Sequence, residues 1–316
     1  MSINNKKPNK LYQYIIDFLE YCEIEKNKSS HTIENYHHYL ERFAEFSQIK
    51  NPKGIDLPSV RKYRVYLNRL QNKNGKPLKT STQNYHVVAL RAFLKYLAKQ
   101  DVETLAAEKI ELQKIPDRTV DFLSSEELEN LLQQPKIDKM RGVRDKAILE
   151  MLFSTGLRIA ELVSLDRTQV NPEKDDFSVN GKGGKVRIVF LSKDAQYWLR
   201  KYIYRRSDNQ KPLFINHSEK EDPQNLNAGR LTARTIQRRI KRYALLAGIT
   251  KKVTPHTLRH SFATDLLANN ANIRSVQAML GHANLSTTQI YTHVTNQELK
   301  NIHHKYHGKG RKERKD

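Results

Sequence analysis

Cysteine is almost absent from this chain of 316 residues: only Cys22 is present, so neither an intramolecular disulfide nor a multi-cysteine metal site can form. No apolar run approaches the roughly 20 residues of a membrane span, and the opening MSINNKKPNK lacks the apolar stretch of a secretory signal. Secreted disulfide scaffolds, zinc fingers and membrane proteins are thereby set aside, and a reducing cytoplasm is the expected compartment. No internal repeat is found. Acids are the other shortage: 34 Asp and Glu stand against 56 Lys and Arg, a formal charge of +22. Residues 1–118 hold 21 bases and 13 acids, and residues 119–316 hold 35 and 21. The excess lies in both halves, so one basic tail cannot be its source. A field of one sign over two domains suits a polyanion, with DNA or RNA first in line. A solvated basic surface is the plainer alternative.

What the chain does have is enough apolar content, 38% of residues, to pack a core in each of two ordinary domains. Leu11, Ile15, Phe18, Leu19 and Cys22 recur at helical spacing. So do Ile33, Tyr36, Leu40, Phe43 and Phe46 after Ser30, then Val60, Tyr63, Tyr66, Leu67 and Leu70. The turn NKNGKPLK precedes a fourth helix with Tyr85, Val88, Leu90, Phe93, Leu94 and Leu97. Four amphipathic helices with short connections predict a bundle. The period fades after residue 100, and the expected limits are a helical domain at 1–112, a linker at 113–121, a second domain at 122–304 and a basic tail at 305–316. Ser124 and Glu127 form a capping box that opens the second domain. Residues 145–154 read as an apolar helix, and 177–191 as a β-hairpin around NGKGGK. Leu213–Ile215 reads as a further short strand, 217–230 as a polar loop, and helices return after Thr232.

Four segments put phosphate-competent side chains at helix ends or turns. In STGLRIAEL, Gly156 breaks a helix and Arg158 stands at the start of the next, with Glu161 on the same side. A planar guanidinium fork suits two phosphate oxygens, although a surface arginine paired with Glu161 would look the same. In GKGGK, Lys182 and Lys185 flank a tight turn. It is not a nucleotide-binding P-loop, because Val186 follows where Ser or Thr is needed; an ordinary turn with solvated lysines is the commoner case. In TPHTLRH, Thr254 caps a helix with Pro255 in its first position. His256 then sits among free N–H groups, with Arg259 one turn on. His256 and His260 lack the glutamate of a zinc motif, since Thr257 stands there. In LGHANLSTTQIY, Gly281 ends one helix and Ser286 and Gln289 cap another that carries Tyr291, with His282 between. Together, two arginines, a lysine, two histidines and a tyrosine fit phosphoryl transfer through a covalent tyrosyl intermediate.

STGLRIAEL, NGKGGKVR, PHTLRHSFAT and LGHANLSTTQIYTHV, in this order, resemble the tyrosine recombinase (phage integrase) family over about residues 120–300. The resemblance implies a mainly α protein with a small antiparallel β-sheet (α+β). A four-helix SAM-like core-binding domain and a C-terminal catalytic domain would close as a C-shaped clamp on double-stranded DNA. It implies that Tyr291 is the nucleophile, forming an O-(3′-phospho-DNA)-tyrosine and freeing a 5′-hydroxyl. Arg158 and Arg259 would hold the non-bridging oxygens. Lys182 would protonate the leaving oxygen, with Lys185 left open as the alternative. His256 would assist proton transfer, His282 would bond the phosphate, and Glu161 would orient Arg158. No cofactor and no metal are implied. Four protomers, of one recombinase or two paired ones, would act together and exchange a C-terminal helix at 293–306, with a possible accessory activator and no membrane. The layout is most similar to the Xer site-specific recombinases, which act in DNA recombination, integration and chromosome partition. About ten residues precede the first helix, which leaves no room for an arm-binding domain; Gly308 stands where the Xer ending has proline, and loop 217–230 is longer than the Xer pattern. An integrase or transposase of a mobile element is the alternative, ahead of a type IB topoisomerase and a non-catalytic DNA-binding regulator.

Overall fold

Side-chain caps mark where the first helices begin. Asn9 accepts from Tyr12 N–H ahead of α1 (Lys10–Ile24), and Ser29 from Thr32 ahead of α2 (Ser30–Ser47). Asp56 and Ser59 exchange bonds at the start of α3 (Leu57–Arg69); each cap pairs N–H groups that a helix leaves open. With α4 (Thr80–Lys99) these helices form the first of two units, residues 1–118 and 119–316. The structure is a computed structural model that describes residues 9–72, 75–115, 122–181, 186–217, 229–281 and 302–307.

The first core gathers Leu11, Ile15 and Phe18 from α1, Leu40 and Phe43 from α2, Tyr63 and Leu67 from α3, and Leu90, Phe93 and Leu97 from α4. Burying each of these contributes about 1.5–3 kcal/mol. On α4 the inward positions are Val87 and His86, while Tyr85 faces solvent, contrary to the sequence reading. The correction has a polar cause: the His86 ring bonds the Tyr63 hydroxyl at 2.9 Å through Nδ1, inside the core. Residues 102–113 lack a helical period, and one side-chain amide holds their end. Asn84 Nδ2 donates to Gln113 O and its Oδ1 accepts from Gln113 N–H, and Ala107 and Ile110 are buried against the bundle.

The second unit is built around α6 (Met140–Thr155), whose residues 142–155 are all buried. It packs between α5 (Ser125–Gln133), α8 (Lys193–Tyr204), α10 (Pro255–Ala268) and the sheet. A helix closed on every side must neutralise its own charges. Arg144 donates to Asp145, whose second oxygen accepts from the Tyr243 hydroxyl on α9 (Ala233–Leu246) at 2.6 Å. Lys146 donates to Leu132 O and pairs with Glu150 one turn on. Strands β1 (Asp176–Asn180) and β2 (Val186–Phe190) pair antiparallel from Asp176↔Phe190 to Asn180↔Val186.

Leu213–Ile215 does not join this sheet. Arg206 takes the carbonyls of Pro212 and Leu213, and Arg144 takes that of Ile215, so the acceptors a ladder would use are occupied. Only isolated bridges, Asp166↔Pro212 and Ile215↔Arg230, remain there among the described residues. Residues 302–306 form a helical turn on the same unit. His303 is buried with Nε2 donating to Ser154 O at 2.7 Å, and Ile302 and Tyr306 pack on the core. The remainder of the helix expected at 293–306 lies outside the described residues. No described helix is long and apolar enough to cross a membrane.

Candidate active site

Three helix ends meet where the motifs converge. Gly156 closes α6 in the left-handed conformation at φ +60°, as its place in STGLR predicts. Arg158 then caps α7 (Ile159–Ser164): its backbone N–H donates to Glu161 Oε2 at 2.8 Å, and its Nη1 to Oε1 at 3.0 Å. Thr254 and Thr257 form a capping box at α10 with Pro255 in the first turn. That places His256 on the exposed first turn and Arg259 one turn later, buried. α11 (Ile273–Leu280) ends at Gly281, also left-handed at φ +62°. A Cβ there would stand 3.0 Å from Arg187 Cδ, a tight contact added to a backbone conformation that already favours glycine.

The C-terminal carbonyls of a helix lack partners within it and carry the negative end of its dipole. At α11 each of three successive carbonyls takes a different arginine. Met279 O accepts from Arg187 Nε at 3.2 Å, Leu280 O from Arg259 Nη2 at 2.6 Å, and Gly281 O from Arg158 Nη2 at 3.4 Å. Arg259 also donates from Nη1 to Gly156 O at 2.6 Å, bridging the ends of α6 and α11. Burial, then the neighbouring Arg158 and Arg187 charges, lower its pKa to about 10, and it remains a cation at neutral pH.

Glu161 is the counter-charge. Burial pushes its pKa up, but hydrogen bonds from Arg187 and Arg158, together with the Arg187 charge, outweigh burial and leave it at about 2. It is therefore a carboxylate at any physiological pH. Of the two arginines on it, Arg158 is the more open, 31% exposed against 12% for Arg187. Such a cluster can hold an anion on cationic forks that are already oriented.

Of the residues expected from sequence, Arg158, Glu161 and Arg259 are brought together here, with His256 one turn from Arg259 on α10. Lys182, Lys185, His282 and Tyr291 lie outside the described residues. The sequence reading missed Arg187. It shares a strand face with the buried Val189, and a charge on such a face requires a partner; that was the available signal. Among the described residues no group of three or more His, Cys, Asp or Glu side chains is placed to hold a metal ion.

Comparison with known proteins identifies the family. The phage integrase family model matches residues 121–298, and the phage integrase N-terminal SAM-like domain matches residues 15–101. Tyrosine recombinase XerD of Oceanobacillus iheyensis is 36% identical over 305 residues, covering 94% of this chain and 99% of the relative. Tyrosine recombinase XerC of Bacillus subtilis is 36% identical over 293 residues, covering 92% and 94%. In fold, the chain is similar to the XerH site-specific recombinase solved on its difH substrate, at TM-score 0.64 and 23% identity over 88% of this chain and 82% of that one. The chain belongs to the phage integrase family, as a tyrosine recombinase of the Xer type.

Proposed function

We propose that the chain cuts and rejoins duplex DNA at a specific site through a 3′-phosphotyrosyl intermediate on Tyr291. The observation that carries this reading is the cluster of Arg158 and Arg259 on the carbonyls of Gly281 and Leu280, one residue before His282 in the chain. In-line attack on a phosphodiester concentrates charge on the non-bridging oxygens, and two fixed guanidinium groups offset it without reorganising. Arg158 reaches the anion from its exposed side while Glu161 holds it from behind; Arg259 adds a second, buried cation. His256 takes part in moving the tyrosine proton, Lys182 protonates the departing 5′-oxygen, and His282 bonds the phosphate. The phosphotyrosine keeps the bond energy for religation, so no nucleotide is consumed.

Affinity for the duplex draws on a second feature. α9 buries Ile236, Ile240 and Tyr243 and exposes Arg234, Arg238, Lys241 and Arg242 on its other side. Four cations along one helix suit a row of phosphates. The protein works in the cytoplasm, four copies to a synapse, on a chromosome or plasmid site, with an accessory activator setting when it acts. Its DNA-binding bundle spans residues 1–112, its linker 113–121 and its catalytic domain 122–304.

A nicked suicide duplex tests the chemistry, because loss of the short fragment that carries the freed 5′-hydroxyl traps the enzyme on DNA. The native chain should give a covalent adduct in denaturing gels, and Tyr291→Phe should abolish it while DNA affinity stays within about twofold. An adduct formed by Tyr291→Phe would remove Tyr291 as nucleophile. Relaxation of plasmid by single copies, with no need for two matched sites, would instead make the enzyme a topoisomerase.

A further inference from the structure

Arg187 has no role in the reaction as drawn so far, yet the arrangement of the cluster passes through it. The Glu161 carboxylate has two oxygens, each able to accept two hydrogen bonds. Oε1 accepts from Arg158 Nη1 and from Arg187 Nη1 at 2.9 Å; Oε2 accepts from Arg158 N–H and from Arg187 Nη2 at 2.8 Å. All four positions are filled, two by each arginine. The fork of Arg187 is bidentate and planar, so it fixes the plane of the carboxylate, and that plane sets the direction in which Arg158 Nη1 is held. A third Arg187 donor, Nε, holds Met279 O, the first of the three carbonyls at the end of α11. Its Cδ lies against Gly281, 3.0 Å from where a Cβ would stand. One side chain on β2 thus grips both the counter-charge of Arg158 and the turn leading to His282.

We propose that Arg187 is a positioning residue for strand cleavage: it orients Arg158 through Glu161 and holds the Met279–Gly281 turn, without touching DNA. This inference rests on the recombinase reading above. A lysine could satisfy one carboxylate oxygen but cannot reproduce three donors in one plane, so Arg187→Lys should recover only part of what Arg187→Met loses.

The test uses the full chain on the nicked duplex at saturating concentration, with cleavage rate and DNA affinity measured separately. Arg187→Met should slow adduct formation about 10- to 100-fold, the scale of a misplacement near 1 Å, while the dissociation constant stays within about twofold. Arg187→Lys should lie between. In a Glu161→Gln background, the further loss from Arg187→Met should shrink, because the part that acts on Arg158 through Glu161 is already gone and only the part that acts through Met279 O is left. Should Arg187→Met not fold, Arg187→Lys, with a cooperative melt, carries the same measurements. Unchanged cleavage, a loss of affinity that parallels the loss of rate, or an undiminished effect in the Glu161→Gln background would overturn the proposal. Failure of the native chain to form any adduct would overturn the recombinase reading itself, and is distinguished by appearing without a substitution at 187.

Discussion

Glu161 keeps its charge where burial opposes it, and this leaves a signature in acid. Its folded pKa of about 2 lies below the ordinary glutamate value of 4.5. The stability it contributes is therefore complete above about pH 4.5 and is lost as the pH falls from there toward 2. Urea unfolding at about pH 7 and pH 3 should show a clear fall in midpoint for the native chain and a smaller one for Glu161→Gln. Equal falls would mean that the carboxylate is not held by the two arginines. At this scale the motif residues were legible: Arg158 at a helix start, Glu161 on the same side, Arg259 one turn after a capped His256. Arg187 was not, because its significance comes from Met279 and Glu161, distant in the chain, which local spacing does not reveal.

Among the elements, α6 is the one on which the second unit turns. Its last residue is followed by Gly156 at positive φ, with Phe262 Cδ1 2.7 Å and Leu280 Cδ2 2.9 Å from where a Cβ would be. Gly156→Ala therefore pays twice, for the left-handed backbone and for overlap with two packed side chains. The combined loss should be about 3 kcal/mol, read as a lower urea midpoint at unchanged slope. Cleavage should fall as well, because Gly156 O is one of the two carbonyls that hold Arg259. A variant as stable as the native chain would show that the turn can relax. Helices with one apolar stripe were readable from their period, as α1 to α3 illustrate. The period misleads on α4, where the buried face includes Gln83, Asn84 and His86 and the aromatic Tyr85 points outward. Leu213–Ile215 has strand composition but loses acceptors to Arg206, seven residues before Leu213, and to Arg144, 71 residues before Ile215, whose reach no short window contains.

Over the whole molecule, the formal charge of +22 is carried by both units, and the exposed face of α9 is one place where it concentrates. Binding to duplex DNA should weaken roughly 10³-fold or more between about 50 and 200 mM salt if six or more phosphates are contacted. A flat salt dependence in filter binding or anisotropy would mean that the charge serves solubility instead. The order of the four motifs along the chain made the family readable, whereas the mutual grip of the arginines became visible only in three dimensions. That grip has a consequence for how the protein can vary. Met279, Leu280 and Gly281 hold the arginines with peptide oxygens, which every amino acid possesses. Apolar exchange at 279 and 280 can thus accumulate over generations without loosening the guanidinium groups, while 281 is held to glycine by its left-handed backbone and its tight neighbour.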